Sequence, residues 1–89
     1  MQYYVYILRC NDGSYYTGHT KNTKKRFKLH INGHGARYTR IHKPEKLVYV
    51  EKFENLSEAI KRERQIKTFG HERKSKLINK QENSNQILE

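Results

Sequence analysis

Arg26 and His30 stand four residues apart in Lys24-Lys25-Arg26-Phe27-Lys28-Leu29-His30. On a helix that spacing puts a guanidinium and an imidazole on one face. Tyr4 and Tyr6 alternate along the run Tyr3 to Cys10 and so share one face of a strand, Tyr16 follows in a second such run, and Glu63 lies in a third segment. These side-chain types could together hydrolyse a phosphodiester. The guanidinium neutralises charge on phosphoryl oxygens, the carboxylate suits a hard divalent cation, and phenol or imidazole groups move protons. Each also has an ordinary structural use. Strand tyrosines pack, a lone arginine sits on a solvated face, and Glu63 can pair with Lys67 at i,i+4. Taken only as types, they describe a basic α+β binding module.

The elements that must position them are legible from pattern. Residues 3–10 are aromatic and β-branched, which predicts a strand. Asn11-Asp12-Gly13-Ser14 reads as a turn, and residues 15–20 as the returning strand of a hairpin. Thr23 is the expected cap of a helix through His30, with Phe27 and Ile31 on its apolar face and Leu29 at the margin; Gly33 and Gly35 end it. Residues 34–46 read as a basic loop and Leu47 to Phe53 as a third strand. Ser57 is the expected cap of a helix from Glu58 to about Thr68. Phe69-Gly70 breaks it, and a last helix spans Glu72 to Lys80 with Leu77 and Ile78 toward the core. The order ββαβαα predicts an α+β domain over residues 1–80, a three-stranded antiparallel or mixed sheet flanked by helices. Residues 81–89 read as a frayed polar tail.

Charge narrows the partners. The chain has 89 residues and a formal net charge of +10, and two of its acidic residues, Glu82 and Glu89, lie in the tail. From Lys21 to Lys46 every charged side chain except Glu45 is basic, with His30, His34 and His42 interleaved. Charge of one sign this dense repels itself unless a polyanion offsets it, so nucleic acid is the expected partner. Lys24, Lys25, Lys28, Arg37 and Arg40 are the candidate contacts. Cys10 is the only cysteine, which excludes an internal disulfide framework and fits a reducing cytoplasm. Met1 to Arg9 shows no charged leader or small-residue cleavage site, and no apolar stretch approaches the roughly 20 residues that span a bilayer, so no membrane is expected. His30 and His34 fall where the glycines end the helix, so a zinc site is not expected either.

Tyr4-Val5-Tyr6, Tyr16-Thr17-Gly18, Arg26, His30, and Glu63 followed by Ile66-Lys67 together resemble the GIY-YIG nuclease family in order and separation. The likeness runs from residue 3 to about residue 78 and is closest to the small stand-alone bacterial branch, of which Gly35-Ala36-Arg37-Tyr38-Thr39-Arg40 is also typical. Tyr4 stands where the family name has glycine and Thr17 where it has isoleucine, without breaking the strand periodicity.

The resemblance implies metal-dependent hydrolysis of nucleic acid without a covalent intermediate, by a DNA endonuclease of repair or structure-directed type. It implies one Mg2+ (or Mn2+) ion with Glu63 as its sole protein ligand. Tyr6 and Tyr16 match the paired active-site tyrosines, with Tyr6 favoured as the base. Arg26 matches the arginine that stabilises the pentacovalent phosphate, and His30 a proton relay or phosphate contact. Gly18 lets the backbone pass close to the site, and His19 serves as a proton relay or faces solvent. A free phenol titrates near 10, so a tyrosine base needs help from neighbours. DNA is favoured over RNA as the partner. A noncatalytic DNA- or RNA-binding module on the same fold is the alternative, and docking to a larger repair or ribonucleoprotein complex is a third expectation.

Overall fold

The computed structural model describes the backbone of residues 2–88 and the side chains of residues 2–82. Strand β1 (Tyr3–Cys10) and strand β2 (Tyr15–Thr20) form the hairpin, followed by helices α1 (Thr23–Ile31) and α2 (Arg37–Ile41), strand β3 (Pro44–Phe53), and helices α3 (Leu56–Lys67) and α4 (His71–Leu88). The sheet has the order β2-β1-β3 and is antiparallel throughout, so the domain is α+β as expected. None of the helices is long and apolar enough to cross a membrane, among the described residues.

The hairpin closes on Gly13, whose φ of 85° needs a residue without a side chain, while Asp12 Oδ1 accepts from the Ser14 backbone at 3.0 Å and its hydroxyl at 2.6 Å. Alternation along β1 then sorts the two faces. Val5 and Ile7 are buried with Ala59 and Ile66 of α3 and Ile78 of α4, which makes the apolar core. Tyr4, Tyr6, Leu8 and Cys10 alternate with them on the opposite face, where Tyr6 meets His30 of α1. A register shift between Ile7 and Leu8 leaves Val48 out of the pairing with β1, and both Val48 and Tyr49 are buried against the same core.

Several expectations are corrected. The caps are Asn22 and Asn55, not Thr23 and Ser57: their side chains accept from Lys25 N at 3.0 Å and Glu58 N at 2.9 Å. Ile31 is 52% exposed, and the side chain that α1 buries completely is His30. The basic loop contains α2, and β3 begins at Pro44, three residues before Leu47. Helix α4 extends to Leu88, past its expected end at Lys80. Gln81 there acts as a substitute strand. Its amide donates to Val50 O at 2.6 Å and accepts from Val50 N at 3.1 Å, covering part of the free edge of β3. The side chains of residues 83–89 lie outside the described residues.

Candidate active site

Register places the first half of the site. Tyr6 is opposite Gly18 across the hairpin, and Leu8 is opposite Tyr16, so both tyrosines rise from the face that α1 covers. A Cβ at Gly18 would stand 2.6 Å from Tyr6 Oη, 2.8 Å from its Cζ and 3.2 Å from Tyr16 Cε2. Gly18 is therefore the floor on which Tyr6 lies, a sharper role than close passage of the backbone. The rings of Tyr6 and Tyr16 are 6.3 Å apart, and each meets His30, at 5.9 and 5.0 Å.

His30 is fully buried and makes two short contacts. Tyr6 Oη lies 2.8 Å from its Nε2, and Thr39 Oγ1 lies 2.7 Å from its Nδ1. Thr39 has one hydroxyl proton and donates it to Ala36 O at 2.9 Å. It must then accept from His30 Nδ1–H, which leaves Nε2 to accept from the Tyr6 phenol. The Ala36 N–H, 3.5 Å from Nδ1, is too long to compete. Tyr6, His30, Thr39 and the Ala36 carbonyl thus form one directional chain. Burial and the nearby Arg26 cation lower the His30 pKa, so the imidazole is neutral near pH 7. Burial pushes the Tyr6 phenol up to about 12; the Arg26 guanidinium pulls it down, while Tyr16 and Glu63 push it further up. Tyr6 by itself therefore holds its proton, and the neighbour equipped to receive it is His30.

Arg26 Nε is buried and, among the described residues, has no hydrogen-bond partner. A charged donor left in that state is costly unless a ligand completes it. Beside it, Thr20, Lys21, Asn22, Lys25, Arg26 and Leu29 line an open hollow of about 340 Å³. Lys24, Lys25 and Lys28 on α1 and Arg37 and Arg40 on α2 are exposed, as contacts to a polyanion must be. A hollow of about 400 Å³ lined by Phe53, Glu58, Lys61, Arg62 and Gln65 involves none of the candidate residues.

Glu63 comes from α3, on the other side of the sheet, near enough to Tyr6 for its charge to be felt there. Its side chain is 12% exposed and both oxygens are engaged: Oε1 with His19 Nδ1, and Oε2 with Lys67 Nζ at 2.9 Å. Burial would raise its pKa, but Lys67 and His19 outweigh that and lower it, so the group is ionised. His19 is thus tied to the carboxylate rather than to either tyrosine. No cluster of three or more His, Cys, Asp or Glu that could hold an ion occurs among the described residues. A lone ionised carboxylate fits Mg2+, which keeps several waters and often takes only one or two carboxylates. His19 and Lys67, 38% and 50% exposed, can swing away from it.

Thr39 and Gly35 are the members that motif reading passes over. A Cβ at Gly35 would overlap His30 Nδ1 and approach Cε1 and Cγ at 2.7 Å, so this glycine fixes the imidazole from behind. The hexapeptide holding both residues is noticeable in the sequence, but nothing local says that it closes over His30.

Comparison with known proteins gives the family. Residues 2–81 match the family described as the GIY-YIG catalytic domain. A UPF0213 protein of Staphylococcus saprophyticus is 53% identical over 77 residues, covering 86% of this chain and 94% of the relative, and one from Staphylococcus epidermidis is 49% identical over the same length and shares. Among solution structures, a UPF0213 protein of Bacillus halodurans superposes with a TM-score of 0.57 at 42% identity, covering 89% of this chain and 84% of its own. A protein of E. faecalis gives 0.62 at 35% identity, covering 90% and 85%. The match spans the strands that carry the tyrosines, the helix that carries Arg26 and His30, and the helix that carries Glu63, and on that basis the chain belongs to the GIY-YIG family of nuclease-type catalytic domains.

Proposed function

We propose that this protein is a cytoplasmic, divalent-metal-dependent endonuclease that hydrolyses the phosphodiester backbone of nucleic acid, DNA in preference to RNA, in a repair or structure-directed setting. The observation that carries the reading is the Tyr6–His30–Thr39 chain next to the unpartnered Arg26 Nε. Family membership supplies the nuclease class; these four residues supply a way of working.

Arg26 binds the nonbridging oxygens of the scissile phosphate and completes its buried N–H there. Tyr6 takes a proton from the attacking water as its own passes to His30 Nε2, and the His30 Nδ1–H to Thr39 keeps the ring in the accepting tautomer. Tyr16, against the His30 ring, is placed to steady the phosphate. Glu63 would hold a single Mg2+ or Mn2+ ion in place of its ties to His19 and Lys67. When bound, such an ion supplies Lewis acidity to the phosphoryl and leaving oxygens.

A second reading, a noncatalytic nucleic-acid-binding module that docks on a larger repair or ribonucleoprotein complex, draws support from the saturation of Glu63 by His19 and Lys67. Glu63→Gln separates the two. It keeps the shape and deletes the charge, so metal-dependent cleavage is lost while binding in chelator is nearly unchanged. If wild type and variant cleave equally, Glu63 is only the ion-pair partner of His19 and Lys67 and the metal assignment is wrong.

A further inference from the structure

At the Tyr15 end of β2, away from His19 and Glu63, Ser14, Tyr15, Tyr38, Phe69, His71 and Lys74 line an open hollow of about 200 Å³. The share of one liquid water is roughly 30 Å³, so the space is several times too large for a single solvent molecule. Its walls are rings held in place by polar ties. Tyr15 stacks on His71 with centroids 4.5 Å apart and an interplanar angle of 19°; Tyr15 Oη meets Ser75 Oγ at 2.9 Å, and His71 Nε2 meets Gly13 O at 2.9 Å. Opposite, Tyr38 stacks on His42 at 4.2 Å and 23°, and His42 Nδ1 is fixed by Asp12 Oδ2 at 2.5 Å. Tyr38 is 36% exposed, so burial of its ring does not account for its place. Its ring also lies 6.0 Å from that of Tyr16, which puts the hollow beside the candidate active site.

Flat π faces, one ammonium and the hydroxyls of Ser14, Tyr15 and Tyr38 suit a planar, uncharged ring system attached to an anionic chain. We propose that this hollow is a nucleobase subsite, which takes one unstacked base of the strand whose phosphate lies at Arg26. The inference rests on the nuclease reading of the Tyr6, Tyr16 and Arg26 site for the direction of the strand. A base inside an intact duplex is stacked on both sides and cannot enter. The substrate class is therefore a single strand, or a duplex already distorted enough to release a base. Stacking accepts any base, and Ser14, Tyr15 and His71 are already tied to Asp12, Ser75 and the Gly13 carbonyl, so little sequence preference is expected.

The test uses the full chain in chelator, so that nothing is cut, with a short DNA carrying 2-aminopurine, free or annealed to its complement. Wild type is expected to bind the single strand more tightly than the duplex and to quench its fluorescence. Tyr38→Ala is expected to lose about 10-fold to 100-fold in affinity for the single strand and little for the duplex, whereas Tyr38→Phe, which keeps the π face, binds as wild type does. Circular dichroism confirms that the variants are folded. Absence of quenching by wild type, or equal single-strand affinity for wild type and Tyr38→Ala, overturns the subsite without recourse to any other variant. Because cleavage plays no part, a chain that binds in this way and cuts nothing keeps the subsite and loses the nuclease reading. A chain that cuts normally with Ala at position 38 and shows no quenching does the reverse.

Discussion

The phenol of Tyr6 stands 2.8 Å from Nε2 of His30, and the imidazole lies so close to Gly35 that a side chain there would overlap it. A neutral acceptor is thus held beside a hydroxyl that would otherwise keep its proton. Burial sets both ends of the pair, depressing the His30 pKa and raising that of Tyr6 to about 12.

The floor under Tyr6 is the first place to test. Gly18→Ala adds one methyl group that must displace the Tyr6 hydroxyl, 2.6 Å away, and crowd Tyr16 at 3.2 Å. Strand geometry tolerates alanine, so the loss falls on alignment. Cleavage is expected to drop by about 10²-fold, the scale of an ångström of misplacement. Single-turnover rates and thermal melts on the same preparation check it, and an unchanged rate means that Tyr6 needs no fixed seat.

Acidification should weaken both fold and function through His30, whose folded pKa lies below its ordinary 6.5. The unfolded chain binds more protons there than the folded one, so stability rises with pH across that interval. The contribution is complete above pH 6.5 and is lost as pH falls through the lowered folded value. Thermal melts of wild type should decline with acidification below that point, and His30→Gln should decline less steeply. Cleavage needs the neutral imidazole, so its acid limb should also be centred below 6.5. An acid limb centred above 6.5 contradicts the assignment of His30 as acceptor.

Gln81 ties α4 to β3 through both polar groups of Val50. Removing it, by Gln81→Ala or by ending the chain at Lys80, exposes strand edge and forfeits two hydrogen bonds. Each is worth about 0.5 to 1.5 kcal/mol, so Tm should fall by roughly 4 to 24 °C in a domain of this size. If the shortened chain melts with wild type, residues 81–89 are a tail in the sense that their composition suggests.

Local pattern revealed what is local. The hairpin, the shared face of Arg26 and His30, and the i,i+4 pair of Glu63 with Lys67 all follow from spacing over a few residues. What was hidden depends on chain brought back from a distance. Thr39 and Gly35 matter because α2 folds over α1, and five residues of basic sequence without a side-chain cap bond do not advertise a helix. His19 binds Glu63 across 44 residues, so its tie to the carboxylate had no local signal. Asn22 and Asn55 cap the helices in competition with the nearby hydroxyls of Thr23 and Ser57, which have similar propensity, and only backbone geometry decides between them.

The most direct test of the account is single-turnover cleavage by wild type and Tyr6→Phe across labelled single-stranded, duplex, flapped and branched DNA and RNA, with magnesium or manganese. The substitution removes one hydroxyl and keeps the ring on Gly18. It leaves His30 Nε2 without its donor, so a stability cost of about 1 to 3 kcal/mol is expected, together with a fall in cleavage on the order of 10² to 10⁴. A wild type that cuts no member of the panel, or a folded Tyr6→Phe that cuts as fast as wild type, contradicts the proposal that the Tyr6–His30 pair carries the proton in phosphodiester hydrolysis.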